Sequence, residues 1–169
     1  TKNAILKLNN IRGRVERVDA GQGFDVIVDY AHTADSLEKL YNVFSNTKKI
    51  CVLGGTGGGR DRSKRTVMGE IADRHCDYIV LTDEDPYDEN PTEIINDITK
   101  GIKNTEKHII LDRREAIAHA LKKAEAGSVV LITGKGTDPY IMGPNGTKTP
   151  WDDATVAREE LTKTGFSKK

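Results

Sequence analysis

Four stretches of this 169-residue sequence combine residue types that could bind or react with a charged ligand. The first is Asp29-Tyr30-Ala31-His32-Thr33, which sets a carboxylate and an imidazole close together. Such a histidine either moves a proton or serves as a hydrogen-bonded structural group. The second is a glycine-rich run, residues 54–59, followed by Arg60, Asp61, Arg62, Lys64 and Arg65. Glycines let backbone N–H groups approach an anion, and guanidinium groups match carboxylate or phosphate oxygens in pairs. The run lacks the Gly-Lys-Ser/Thr ending of a phosphate loop, because Gly59 leads into Arg60-Asp61. A tight strand-to-helix turn and a local anion site therefore both remain open. The third stretch, residues 82–89, carries five carboxylates, Asp83, Glu84, Asp85, Asp88 and Glu89, around Pro86 and Tyr87. Its reading is a solvated loop or a partner for an ammonium or other cation. The fourth is Thr133-Gly134-Lys135-Gly136-Thr137-Asp138.

Each stretch follows a short apolar run that must position it. Residues 24–28, 50–53, 78–81, 108–111 and 129–132 are rich in Val and Ile and read as buried strands. Between them the apolar residues adopt helical spacing. Leu37, Leu40, Tyr41 and Phe44 share a face, as do Val67, Ile71 and Ala72. So do Ile94, Ile95 and Ile98, and again Ile117, Ala120, Leu121 and Ala124. Thr33, the Pro91-Thr92 pair and Asp112 mark helix starts, and Gly127 a helix stop. Alternating strands and helices build right-handed βαβ units. The fold class is thus α/β, a Rossmann-like, mainly parallel sheet with helices on both faces. Residues 140–142 and 148–151 flank Pro144-Asn145-Gly146, which predicts an antiparallel hairpin at the sheet edge. A last helix runs over 153–161, where capping accounts for Asp152 and Asp153 beside Trp151. Ligands of open α/β sheets gather at the carboxyl ends of the strands. All four polar stretches fall there.

Lys and Arg number 26, and so do Asp and Glu. A balanced chain has no global field to draw nucleic acid or an anionic membrane, so neither is an expected partner. Cys51 and Cys76 lie far apart in sequence without metal-ligand spacing, and each reads as a small buried hydrophobe, consistent with a reducing cytoplasm. No metal site is expected. No run of 18 apolar residues appears, and the opening Thr-Lys-Asn-Ala is no signal peptide.

Taken in order, the motifs resemble the C-terminal domain of the Mur ligases, nearest to the branch that adds the third residue to UDP-N-acetylmuramoyl-dipeptide. They are Gly13-Arg14-Val15-Glu16-Arg17-Val18, Val28-Asp29-Tyr30-Ala31-His32-Thr33, Gly59-Arg60-Asp61-Arg62-Ser63-Lys64-Arg65 and Met68-Gly69-Glu70-Ile71-Ala72. Asp112-Arg113-Arg114-Glu115-Ala116-Ile117, Gly134-Lys135-Gly136, and Asp152-Asp153 with Ala157-Arg158-Glu159 continue the series. The resemblance implies residues 13–169 as the amino-acid-binding domain and 1–12 as the end of a central ATPase domain or a linker. It implies a three-domain enzyme in which ATP activates a peptide carboxylate and an amino group attacks the acyl phosphate. ATP and Mg2+ would serve the whole enzyme, with Mg2+ held mainly by the central domain. The partners would be the chain's own N-terminal and central domains and small-molecule substrates. No catalytic residue falls within this domain.

By the same resemblance, Arg14, Asp29 and His32 would meet ATP, the arginine toward phosphate and the aspartate toward ribose. Arg60, Glu84, Asp85, Pro86, Tyr87, Gly134 and Asp138 would bind the incoming amino acid. Asp138 stands where the family more often has glutamate, and Thr137 replaces a usual histidine. Enzymes of the family that use meso-diaminopimelate carry Asp-Asn-Pro-Arg where this chain has Glu84-Asp85-Pro86-Tyr87. With that arginine missing, Glu84, Asp85 and Asp138 are expected to receive a bare ammonium, which favours lysine or a similar diamine over diaminopimelate. A folylpolyglutamate or cyanophycin-type ligase domain, or a non-catalytic nucleotide- or amino-acid-binding module, is the alternative.

Overall fold

Central strands that are apolar on both faces require cover on both sides. The computed structural model describes residues 11–166, so the expected domain remnant at 1–12 lies, through residue 10, outside the described residues. The strands are β1 (Glu16–Arg17), β2 (Asp25–Asp29), β3 (Lys49–Leu53), β4 (Tyr78–Leu81), β5 (Lys107–Ile109) and β6 (Val129–Thr133). They form one sheet in the order β1-β2-β6-β3-β4-β5. Only β1 is antiparallel to its neighbour. Helices α1 (Ala34–Val43), α2 (Ser63–His75) and α3 (Pro91–Thr99) cover one face, and α4 (Arg113–Lys123) with α5 (Asp153–Lys163) covers the other. Side chains alternate accordingly. Val26, Val28, Val52, Val80, Val130 and Ile132 pack with Ile117, Leu121 and Leu161. Ile27, Leu53, Ile79, Leu81 and Leu131 pack with Leu37, Tyr41, Ile71 and Ile98.

Local chemistry explains where the helices begin. Thr33 and Ser36 form a reciprocal capping box at α1. Asn90 caps α3 with Pro91 in its first turn, while Asp112 caps α4 and Asp152 caps α5. Helix α4 ends at Lys123, and Gly127 serves further on, in a left-handed turn whose N–H donates to the Gly23 carbonyl.

Several expectations need correction. The run at 108–111 is not a buried strand: β5 is a sheet edge, and Ile109 and Leu111 are exposed. Val67 is exposed too, and Met68 takes its place in the core beside Ile71 and Ala72. The cysteines are buried as expected but not separate. Cys51 on β3 and Cys76 at the end of α2 form a disulfide, because α2 returns antiparallel to the strand and brings their Cα atoms within 6.1 Å.

The C-terminal hairpin, β7 (Tyr140–Met142) and β8 (Lys148–Pro150), is a two-stranded sheet of its own. Its loop spans 143–147 and includes Asn145 in the left-handed region. The hairpin is tied to the loop after β4: Tyr87 N–H donates to the Met142 carbonyl, and Asn145 N–H donates to the Asp88 carboxylate.

Candidate functional site

The chain advances from β2 through β5 on one face and returns as β6 between β2 and β3 on the other. The loops after β3 and β6 therefore part at adjacent strand ends, which leaves a crevice. A cleft of about 280 Å³ opens there. Its walls include His32, Arg60, Glu84, Asp85, Tyr87, Gly134 and Asp138, seven of the ten residues singled out in the sequence, together with Tyr30 and Lys64. Arg14, Asp29 and Pro86 do not border it.

The glycine run lies against the acidic loop. Gly57 N–H donates to the Asp85 carbonyl at 2.8 Å, and a Cβ on Gly57 would sit 2.1 Å from the Pro86 oxygen. A Cβ on Gly54 would meet Glu84, and one on Gly58 would press on the Tyr87 ring. Close loop packing thus accounts for these glycines. Of the cations behind them, Arg65 is buried and pairs with Glu89 at 2.9 Å and Asp97 at 3.3 Å, and Arg62 pairs with Asp97. Arg60 and Lys64 are exposed and, among the described residues, form no ion pair. They are the cations this rim leaves open to a ligand.

The acids of the β4 loop are engaged from within. Lys135 is only 1% exposed, and its Nζ donates to both Asp85 oxygens at 2.8 Å and lies 3.1 Å from Asp138. Met142 N–H also donates to Asp85 Oδ1. Glu84 is buried; its Oε1 accepts the Thr56 hydroxyl at 3.0 Å, while its Oε2 has no partner among the described residues. Burial holds the Glu84 carboxyl above its ordinary pKa and Asp85 adds to this, against the opposing charges of Arg113 and Lys135. Tyr87 adopts a left-handed backbone, φ 51°, a strained state for a residue with a bulky side chain. The bare ammonium expected at Glu84, Asp85 and Asp138 meets a place already filled by Lys135. The lysine preference argued from those acids loses its footing.

At the β2 shoulder, Asp29 accepts N–H groups from Val15 and Ala31 at 2.7 and 2.8 Å. The Arg14 guanidinium lies 5.2 Å from the centre of the Tyr30 ring, whose centroid is 4.6 Å from that of the tilted His32 ring. His32 Nδ1 contacts the Tyr30 carbonyl at 2.8 Å, which fixes the imidazole in the loop.

Sequence reasoning missed two charged anchors. Arg113 is buried, with both guanidinium arms on Asp153 at 2.9 and 2.7 Å. It also donates to the Thr133 and Asp83 carbonyls, so one side chain joins the ends of β6 and β4 to the start of α5. Trp151 Nε1 completes the network on Asp153. One signal was available: a cation in the first turn of a helix opposes the dipole and so asks for another role. Lys135, between two glycines of a rim loop, gave no comparable sign.

A mainly parallel sheet with a charged cleft at such a switch point places the chain in the Rossmann-like α/β class. The chain belongs to the family described as "Mur ligase, glutamate ligase domain", whose model matches residues 13–136. It is 45% identical over 166 residues to a UDP-N-acetylmuramoyl-L-alanyl-D-glutamate--2,6-diaminopimelate ligase of Syntrophomonas wolfei, covering 95% of this chain and 34% of that protein. A ligase of the same name from Bacillus licheniformis is 45% identical over 156 residues, 91% of this chain and 32% of that one. A solved structure of such a ligase superposes with a TM-score of 0.83 at 32% identity, over 96% of this chain and 34% of its own. The chain thus spans about a third of the length of the relatives it matches.

Proposed function

We propose that this domain binds the incoming amino acid within a longer ATP-dependent ligase, which joins a diamino acid to UDP-N-acetylmuramoyl-L-Ala-D-Glu in peptidoglycan synthesis. The observation that carries the reading is the cleft, with two open cations, Arg60 and Lys64, beside Asp85 and Asp138, which already share the buried Lys135. A substrate with two carboxylates fits that balance better than one ending in a bare ammonium. We therefore favour meso-diaminopimelate over lysine, in keeping with the names of the relatives. Arg60 takes one carboxylate and Lys64 the other, which supplies the charge that Tyr87 cannot. Arg14, Asp29 and His32, on the neighbouring shoulder, would face ATP. Residues 1–12 would lead in from the central domain, and a cytoplasmic location follows from the use of ATP and a UDP-linked substrate. ATP and Mg2+ would serve the whole enzyme, with Mg2+ held mainly by the central domain. Phosphoryl transfer needs a lysine-bearing phosphate loop and metal, so these 169 residues alone should form no amide.

The test offers the complete ligase equal concentrations of diaminopimelate and lysine with ATP and the UDP-linked dipeptide. Diaminopimelate should be incorporated first. Preferential use of lysine would overturn the choice of amino acid, and absence of any amide product would overturn the ligase reading itself.

A further inference from the structure

Asp85 and Asp138 come from loops more than fifty residues apart, and both border the cleft. Between them stands no solvent-filled gap for a ligand cation but the ammonium of Lys135, at 2.8 Å from each Asp85 oxygen and 3.1 Å from Asp138. The lysine itself is enclosed, since only 1% of its side chain meets solvent. A buried ammonium is retained only where carboxylates compensate it, and these two do so. The same geometry works in reverse. Without Lys135, two carboxylates would face the cleft with no cation between them and would attract an ammonium.

We propose that Lys135 is the positioning residue that sets which end group the cleft accepts. It fills the place between Asp85 and Asp138 that a substrate ammonium would need, and so leaves selection to the open cations Arg60 and Lys64. The inference rests on the ligase reading above, and it names a group that acts through two others without touching substrate. It also accounts for an aspartate at position 85: a neutral side chain there could not balance the lysine with two short contacts. Tyr87 N–H, on the Met142 carbonyl, and Met142 N–H, on Asp85, fix the adjoining backbone.

The experiment measures kcat/KM of the complete ligase for diaminopimelate and for lysine, and reads their ratio. Lys135→Met leaves the two aspartates uncompensated and should lower the ratio about 10-fold or more, in favour of lysine. Asp85→Asn, which keeps an acceptor for Met142 N–H, leaves Lys135 in excess and should raise the ratio about 3-fold. Opposite shifts from two partners of one ion cluster cannot come from loss of structure alone, which would weaken both substrates alike. An unchanged ratio in both variants, or a shift in the same direction, would overturn the role of Lys135 while the ligase reading stands. Should thermal melting show Lys135→Met unfolded, the Asp85→Asn ratio decides, and anything but a rise overturns the inference. If the wild-type ligase makes no product with either amino acid, both readings fall together.

Discussion

The loops after β3 and β4 touch along their length, yet their sequences and their available charges run in opposite senses. The β3 loop is rich in glycine, which by itself suggests a turn, and the β4 loop carries five carboxylates, which suggest a cation site. In the fold, most acids of this loop are already engaged. Asp85 faces Lys135, Glu89 faces Arg65, Asp88 accepts Asn145 N–H, and Glu84 is buried against Thr56. The glycine-rich loop leads into Arg60 and Lys64, which are exposed and form no ion pair among the described residues. The field a ligand meets is decided by partners brought in from distant sequence, above all Lys135 and Arg113. Composition of a loop does not give its charge.

The contrast breaks most severely at the anchor that ties the β4 loop to the end of β6. Asp153→Ala should cost about 3–5 kcal/mol, because it strands the Arg113 guanidinium in the interior and frees the ends of β4 and β6. Urea denaturation measures it; a loss below about 1 kcal/mol would mean that Arg113 finds other partners. The contact between the loops can be probed within the glycine run. Gly57→Ala forces a methyl to within 2.1 Å of the Pro86 oxygen and should cost about 2–3 kcal/mol. Gly59→Ala meets no atom within 4 Å and should cost only about 1 kcal/mol, from its left-handed backbone. Equal losses at the two positions would show that backbone conformation, and not loop contact, explains the run.

Much of this architecture was legible because it rests on local periodicity. The apolar runs gave β2, β3, β4 and β6, and the caps at Thr33, Asp112 and Asp152 follow from short-range hydrogen bonds that a sequence displays directly. The strand-end rule then brought His32, Arg60, Glu84, Tyr87, Gly134 and Asp138 to one cleft. What stayed hidden depends on tertiary distance. The Cys51–Cys76 bond, the Lys135–Asp85 pair and the Arg113–Asp153 pair each join residues 25 or more positions apart, and no spacing rule connects them. Exposure of Val67 and Ile109 was missed for a related reason. An apolar residue on a helix shoulder or an edge strand looks the same in sequence as one in the core.

The smallest expected effect concerns Glu84, the most deeply buried acid of the β4 loop. Burial, with Asp85 beside it, raises the folded-state pKa of Glu84 above that of the unfolded chain. The folded state therefore binds its proton more tightly, and the contribution to stability is present below the unfolded pKa and declines as pH rises toward the folded value. Glu84→Gln removes the titration and can keep the Thr56 hydroxyl as donor to its amide oxygen. Wild type and variant should then be nearly equal near pH 4, with the variant gaining on the order of 1 kcal/mol by pH 8. Thermal melts across that range give the difference. Were the wild type to gain on the variant as pH rises, Glu84 would be stabilised as a carboxylate, and Arg113 and Lys135 would reach further into this loop than their paired aspartates allow.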